Sequence, residues 1–121
     1  MTNKFMRRVL FAALLVLTLT STGTVWAQAS PRRIEITAKR FEFDPPEITL
    51  KKGEPVVLVV KSADVAHGLR FRELNIDIRP PAGGTAEAQF TPEKTGDFIG
   101  HCSVFCGRGH GSMVMKMHVT E

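Results

Sequence analysis

Residues 41–62 read FEFDPPEITLKKGEPVVLVVKS, and their pattern decides the fold class. Polar and apolar residues alternate through Glu47, Ile48, Thr49 and Leu50, which is the period of a strand with one face buried. Asp44-Pro45-Pro46 interrupts the chain before this stretch and Lys52-Gly53 turns it afterwards. The β-branched run from 55 to 61 follows as a second strand. Outward from this core the same period-two pattern places strands at 33–38, 68–71, 76–79, 85–90, 96–100 and 113–119, broken by residues 80–84 (PPAGG) and 92–96. Seven to eight short strands predict an all-β protein, a two-sheet antiparallel sandwich whose inward faces supply the core. The sequence holds no internal repeat, coiled-coil heptad or low-complexity tract.

A chain of 121 residues is long enough for one modest domain. Its 16 Lys and Arg outnumber 12 Asp and Glu, but Lys4, Arg7 and Arg8 fall among the first 29 residues, which hold no acid. Beyond them 13 basic residues face 12 acidic ones, so charge gives no reason to expect a nucleic-acid partner. The first 29 residues read as an export signal: a basic start, an apolar run at 9–19 relieved only by Thr18, then small residues at Val25-Trp26-Ala27 or Ala27-Gln28-Ala29. As a helix that run spans about 16 Å, against a bilayer core of roughly 30 Å, so cleavage is expected rather than anchoring. The domain organisation is then 1–29 as signal peptide and 30–121 as the working domain. An oxidising, periplasmic location follows, with membrane contact only through the leader or a respiratory partner.

Chemistry concentrates at 101–113, HCSVFCGRGHGSM, with His67 arriving from elsewhere in the chain. Thiolate, thioether and imidazole suit copper, whereas magnesium or calcium would require carboxylates and carbonyls. Zinc through Cys102, Cys106, His110 and His67 remains open, but it gives no reason for Met113. Three residues between Cys102 and Cys106 let a loop turn both sulfurs inward. His110 follows on the same loop, and Met113 opens the next strand. Gly107, Gly109 and Gly111 let that loop fold where Cβ atoms would clash. A bare disulfide is the bland alternative for two exported cysteines. A mononuclear blue-copper set of Cys106, His110, Met113 and His67 is another, and it leaves Cys102 a spare thiol.

The loop CSVFCGRGHGSM, with the upstream His67 and the segment 41–62, resembles the cupredoxins, in particular the dinuclear copper (CuA) domain of cytochrome c oxidase subunit II and of nitrous oxide reductase. The similarity covers roughly residues 34–119 and implies a cupredoxin-like Greek-key β-sandwich. It implies that Cys102 and Cys106 bridge two copper ions, that His67 and His110 each bind one, that Met113 is a weak ligand, and that the Val104 carbonyl is the sixth donor. The resemblance departs from the oxidase pattern at Val104, where the oxidase typically has Glu; valine has no carboxylate to offer a divalent ion. It departs also in Trp26, the sole tryptophan, which lies inside the leader.

A filled ligand set leaves no open position for substrate, so electron transfer is expected rather than catalysis, and no nucleophile–base pair is evident. The partner is then a redox donor or acceptor, or a copper-donor protein; the alternative function is that of a copper carrier or chaperone delivering metal to another cuproprotein. Met115 and Met117 share a strand face with Met113 and read as core, with His118 on the opposite, solvated face. His101 reads as a surface histidine, Arg108 as a loop brace or partner contact, and Asp64 as a brace for the His67 loop through backbone N–H groups.

Overall fold

The alternation becomes nine strands in the computed structural model, which describes residues 23–24 and 30–121. The predicted export signal lies almost wholly outside the described residues. The strands are β1 (Arg32–Lys39), β2 (Glu42–Asp44), β3 (Glu47–Lys51), β4 (Val56–Ser62), β5 (Leu69–Phe71), β6 (Ile76–Ile78), β7 (Thr85–Phe90), β8 (Gly96–His101) and β9 (Val114–Thr120). Short 3-10 turns occupy Arg72–Leu74 and His110–Ser112. The all-β sandwich is as expected, with one strand more: β2 has only three residues, too few for alternation to be read. Among the described residues no helix is long and apolar enough to cross a membrane.

One sheet runs β2-β1-β4-β7 and the other β3-β9-β8-β5-β6. The pairing is mixed rather than wholly antiparallel. β1 runs parallel to β4, with Ile34 opposite Leu58, and β3 runs parallel to β9, with Ile48 opposite Met117. After β1 the chain turns back as β2, crosses to the other sheet as β3, and returns as β4 beside β1. Side-chain alternation reports which face is buried and carries no information about strand direction, so this feature was not readable from the pattern.

Inward residues of both sheets form one core, in which Ile36, Leu50, Leu58, Val60, Leu69, Met115 and Met117 are almost completely buried. Met113, Met115 and Met117 do share the inward face, while Val114 and Lys116 face out. Gly100 on β8 admits close packing: a Cβ there would stand 2.7 Å from the Phe71 ring and 2.8 Å from Leu69.

His118 lies on the outer face as expected, but it is held. Its Nδ1 meets Asp97 Oδ1 at 2.6 Å and its Nε2 meets Glu47 Oε2 at 3.2 Å, while Lys116 Nζ stands 3.9 Å from Glu47. With a carboxylate at each ring nitrogen, the doubly protonated ring is favoured and its pKa is raised, first by Asp97 and then by Glu47. A raised folded value makes its contribution complete below the ordinary imidazole pKa of 6.5 and lost as pH climbs through the folded value. Urea midpoints of wild type and His118→Gln should therefore differ most at pH 6 and converge above the raised pKa. A constant difference across that range would contradict this linkage.

Register explains why the loops meet. β8 ends at His101, which pairs with Val114 at the start of β9 and with Arg70 near the start of β5. The β4–β5 connection carrying His67 and the β8–β9 connection carrying the cysteines thus emerge at one end of the sandwich.

Candidate metal centre

The long β8–β9 loop folds back on itself through backbone bonds. Cys102 N–H donates to Met113 O at 3.1 Å, His110 N–H to Gly107 O at 3.1 Å, and Met113 N–H to His110 O at 3.3 Å. Ser103 N–H donates to Gly68 O at 3.1 Å, which joins the cysteine loop to the residue after His67. The approach is tight, because a Cβ on Gly68 would lie 1.9 Å from Ser103 Oγ.

These bonds bring the predicted side chains together. Cys102 Sγ and Cys106 Sγ are 3.7 Å apart and both thiols are free. Cys102 Sγ lies 3.9 Å from His67 Nδ1, and Cys106 Sγ lies 3.8 Å from His110 Nδ1 and 3.7 Å from Met113 Sδ. The Val104 carbonyl oxygen stands 3.1 Å from Cys102 Sγ. One donor atom each from His67, Cys102 and Cys106 lies within 4.8 Å of the others. His67 and Met113 are fully buried, the cysteines nearly so, and His110 is half-buried.

This donor set fits a soft transition metal. Two ligand atoms at ordinary bond lengths of about 2.0–2.3 Å and a tetrahedral angle stand about 3.3–3.8 Å apart, close to the observed separations. Sulfur and imidazole nitrogen dominate the set, and no carboxylate enters it. Burial raises the Cys106 thiol to about 11, reinforced by its hydrogen bond to Cys102 and that neighbour's charge. A thiol so protonated becomes a ligand by releasing its proton to solvent, the arriving cation's charge stabilising the thiolate that is left.

A supporting layer fixes the ligands. Asp64 Oδ1 meets His67 Nε2 at 2.5 Å and accepts Val65 N–H at 2.7 Å; Oδ2 accepts Arg40 N–H at 2.9 Å. The Arg40 N–H, ahead of His67 and Val65 and against the effect of burial, holds the Asp64 carboxyl down at about 2. An ionised carboxylate at Nε2 keeps the proton there and turns the Nδ1 lone pair toward Cys102. Asp64 thus braces the loop through backbone N–H groups as read from sequence, and it orients the ring as well. Ser62 Oγ bonds to Val65 O in the same turn.

Two contributors escaped sequence reading. Arg40 Nε donates to the Cys106 carbonyl at 3.0 Å, and the Phe41 ring packs where side chains on Gly107 or Gly109 would stand, at 2.9 and 2.5 Å. Both come from the β1–β2 turn, 65 or more residues before the loop they hold, and no local signal marks them. Gly107 has a φ of +136°, so it is needed for its backbone also, whereas a Cβ on Gly111 would meet nothing within 4 Å. The clash expected at all three glycines therefore applies to two. His101 is exposed, and among the described residues Arg108 forms no hydrogen bond, so it does not brace the loop.

Comparison with known proteins places this geometry in context. The sequence pattern of the cupredoxin-like domain matches residues 9–115. Over 88 residues the chain is 27% identical to cytochrome c oxidase subunit 2 of Thermus thermophilus, covering 73% of this chain and 65% of that one. It is 31% identical over 90 residues to nitrous-oxide reductase of Cupriavidus necator, covering 71% of this chain and 14% of the reductase. Among solved structures, the periplasmic domain of subunit II of cytochrome oxidase from Bradyrhizobium japonicum superposes with a TM-score of 0.69 at 22% identity, covering 79% of this chain and 88% of that domain. The chain therefore spans less than two thirds of either curated relative's length.

Proposed function

The chain belongs to the cupredoxin-like domain family, and from that premise we propose that it is an exported electron-transfer protein with a dinuclear copper centre held by His67, Cys102, Val104, Cys106, His110 and Met113. In this reading residues 1–29 are the export signal and 30–121 the copper-binding domain, which works in the periplasm. The observation that carries the proposal is the doubled donor set: two free sulfurs 3.7 Å apart, each with its own imidazole at 3.9 or 3.8 Å. A mononuclear blue-copper site needs one central sulfur, and the second would then have no reason to stand inside the cluster with a histidine of its own.

Bound copper supplies one-electron redox chemistry. The protein's part is to keep the ligand positions the same in both oxidation states. Asp64 fixes the His67 ring, Arg40 fixes the Cys106 carbonyl, and the Phe41 ring fills the space that the loop glycines leave. Burial of His67, both sulfurs and Met113 limits the access of water to those ligands. Small rearrangement on gaining or losing charge favours rapid relay, and a ligand set filled by the protein leaves no open position for a substrate.

Copper stoichiometry with electron paramagnetic resonance tests the proposal. Two coppers per chain and a signal split by two equivalent nuclei are expected. One copper with a signal localised on a single nucleus would replace this reading with the blue-copper one, and loss of copper to a modest chelator would favour a carrier.

A further inference from the structure

The ligand loop also borders an open cavity of about 450 Å³ whose lining is Arg70, Arg72, His101, Cys102, Ser103 and His110. Arginine and histidine surround it and no carboxylate lines it. Among the described residues Arg72 and Arg108 form no ion pair, and Arg70 reaches Asp77 only at 3.8 Å. Asp77 is itself engaged by Arg79 at 2.9 Å and by Ser103 Oγ at 2.6 Å. Beside His110 stands Phe105, 77% exposed, its ring centroid 5.6 Å from the imidazole. One half-buried candidate ligand therefore lines a basic hollow and neighbours an exposed aromatic side chain.

An exposed aromatic beside unpaired arginines has the make-up of a protein interface: an apolar anchor with a charged rim that selects its partner by sign. Building on the electron-transfer reading, we propose that this end docks a partner protein through a carboxylate-rich face. Partner carboxylates enter the hollow toward Arg70 and Arg72 and meet Arg108 on the loop, and an apolar patch covers Phe105. The partner is thereby placed against His110, on the shortest way to the buried sulfurs. Arginine suits this role because its planar fork binds carboxylates bidentately and stays charged at any working pH.

The test uses the metal-free chain, labelled with nitrogen-15, so that its outcome is independent of copper stoichiometry. A hexaglutamate peptide should shift amides of Arg70, Arg72, His101 and Ser103, and Phe105 with them. Raising salt from about 20 to 200 mM, which shortens the screening length roughly threefold, should weaken that binding about tenfold or more. The Arg72→Glu/Arg108→Glu variant should lose it, and Arg72→Gln/Arg108→Gln should weaken it should the reversed charges upset folding. Shifts confined to other faces, equal shifts with hexalysine, or insensitivity to salt would overturn the proposal. So would inorganic phosphate saturating the same amides as tightly as the peptide, which would mark a small-anion pocket. Should docking fail while two coppers still bind, only the partner assignment falls; the reverse result would remove the copper centre and leave the docking face.

Discussion

Cys102→Ser is expected to reduce copper from two ions per chain to one or fewer and to abolish the two-nucleus resonance signal. The serine hydroxyl is a hard, weakly acidic donor that does not replace a bridging thiolate toward a soft metal. In the structure Cys102 Sγ is the atom that His67 Nδ1 and the Val104 carbonyl approach, at 3.9 and 3.1 Å. Losing it strands both of those donors. Cys106→Ser should be as severe, since it removes the sulfur nearest His110 and Met113. Equivalence is the discriminating feature: a single-copper site centred on Cys106 predicts that Cys102→Ser leaves the spectrum and the stoichiometry unchanged.

The second large effect is expected at Asp64, which touches no candidate metal position. Replacing a residue that orients a metal-ligating histidine typically costs about 10–100-fold in metal affinity. Asp64→Asn is the demanding variant. The carboxylate accepts three donors, Arg40 N–H on one oxygen and Val65 N–H with His67 Nε2 on the other. An amide has one acceptor oxygen and an NH2 group, so either orientation turns a donor toward a donor. With the amide nitrogen facing His67, the ring proton is driven to Nδ1, onto the lone pair that points at Cys102. Competition against a chelator should show the affinity loss, and thermal melts of metal-free protein should separate it from loss of stability. Undiminished affinity in a destabilised variant would reduce Asp64 to a loop brace.

Much of this protein is readable from its amino-acid sequence. Period two in residues 47–50 and 113–119 located two strands, because alternation is the direct consequence of a sheet with one face in the core, and the β-branched run at 55–61 located a third. Met115 and Met117 could be separated from Met113 as core residues on the same ground, since all three face inward and only the first borders the loop. The candidate ligands stood out because five of the six lie within 12 residues, where spacing along the chain limits spacing in space.

His67 was a less local inference, and Arg40 and Phe41 were beyond reach. Nothing near Arg40 announces that its side chain serves a carbonyl 66 residues away. That contact exists because β1 and β4 run parallel and their ends bring the β1–β2 turn under the β8–β9 loop. Periodicity is blind to strand direction, so the turn's destination had no signature in it.

The sequence by itself determined which residues face inward and which donor types a metal would be offered, because the first follows from residue type and alternation and the second from residue type and, for all but His67, short separations along the chain. Only the tertiary structure decided the order of strands, the pairing of each sulfur with its own imidazole, and the arginine-lined hollow beside His110. Those depend on where distant segments come to rest, and that is set by the packing of two sheets as a whole rather than by any stretch of chain.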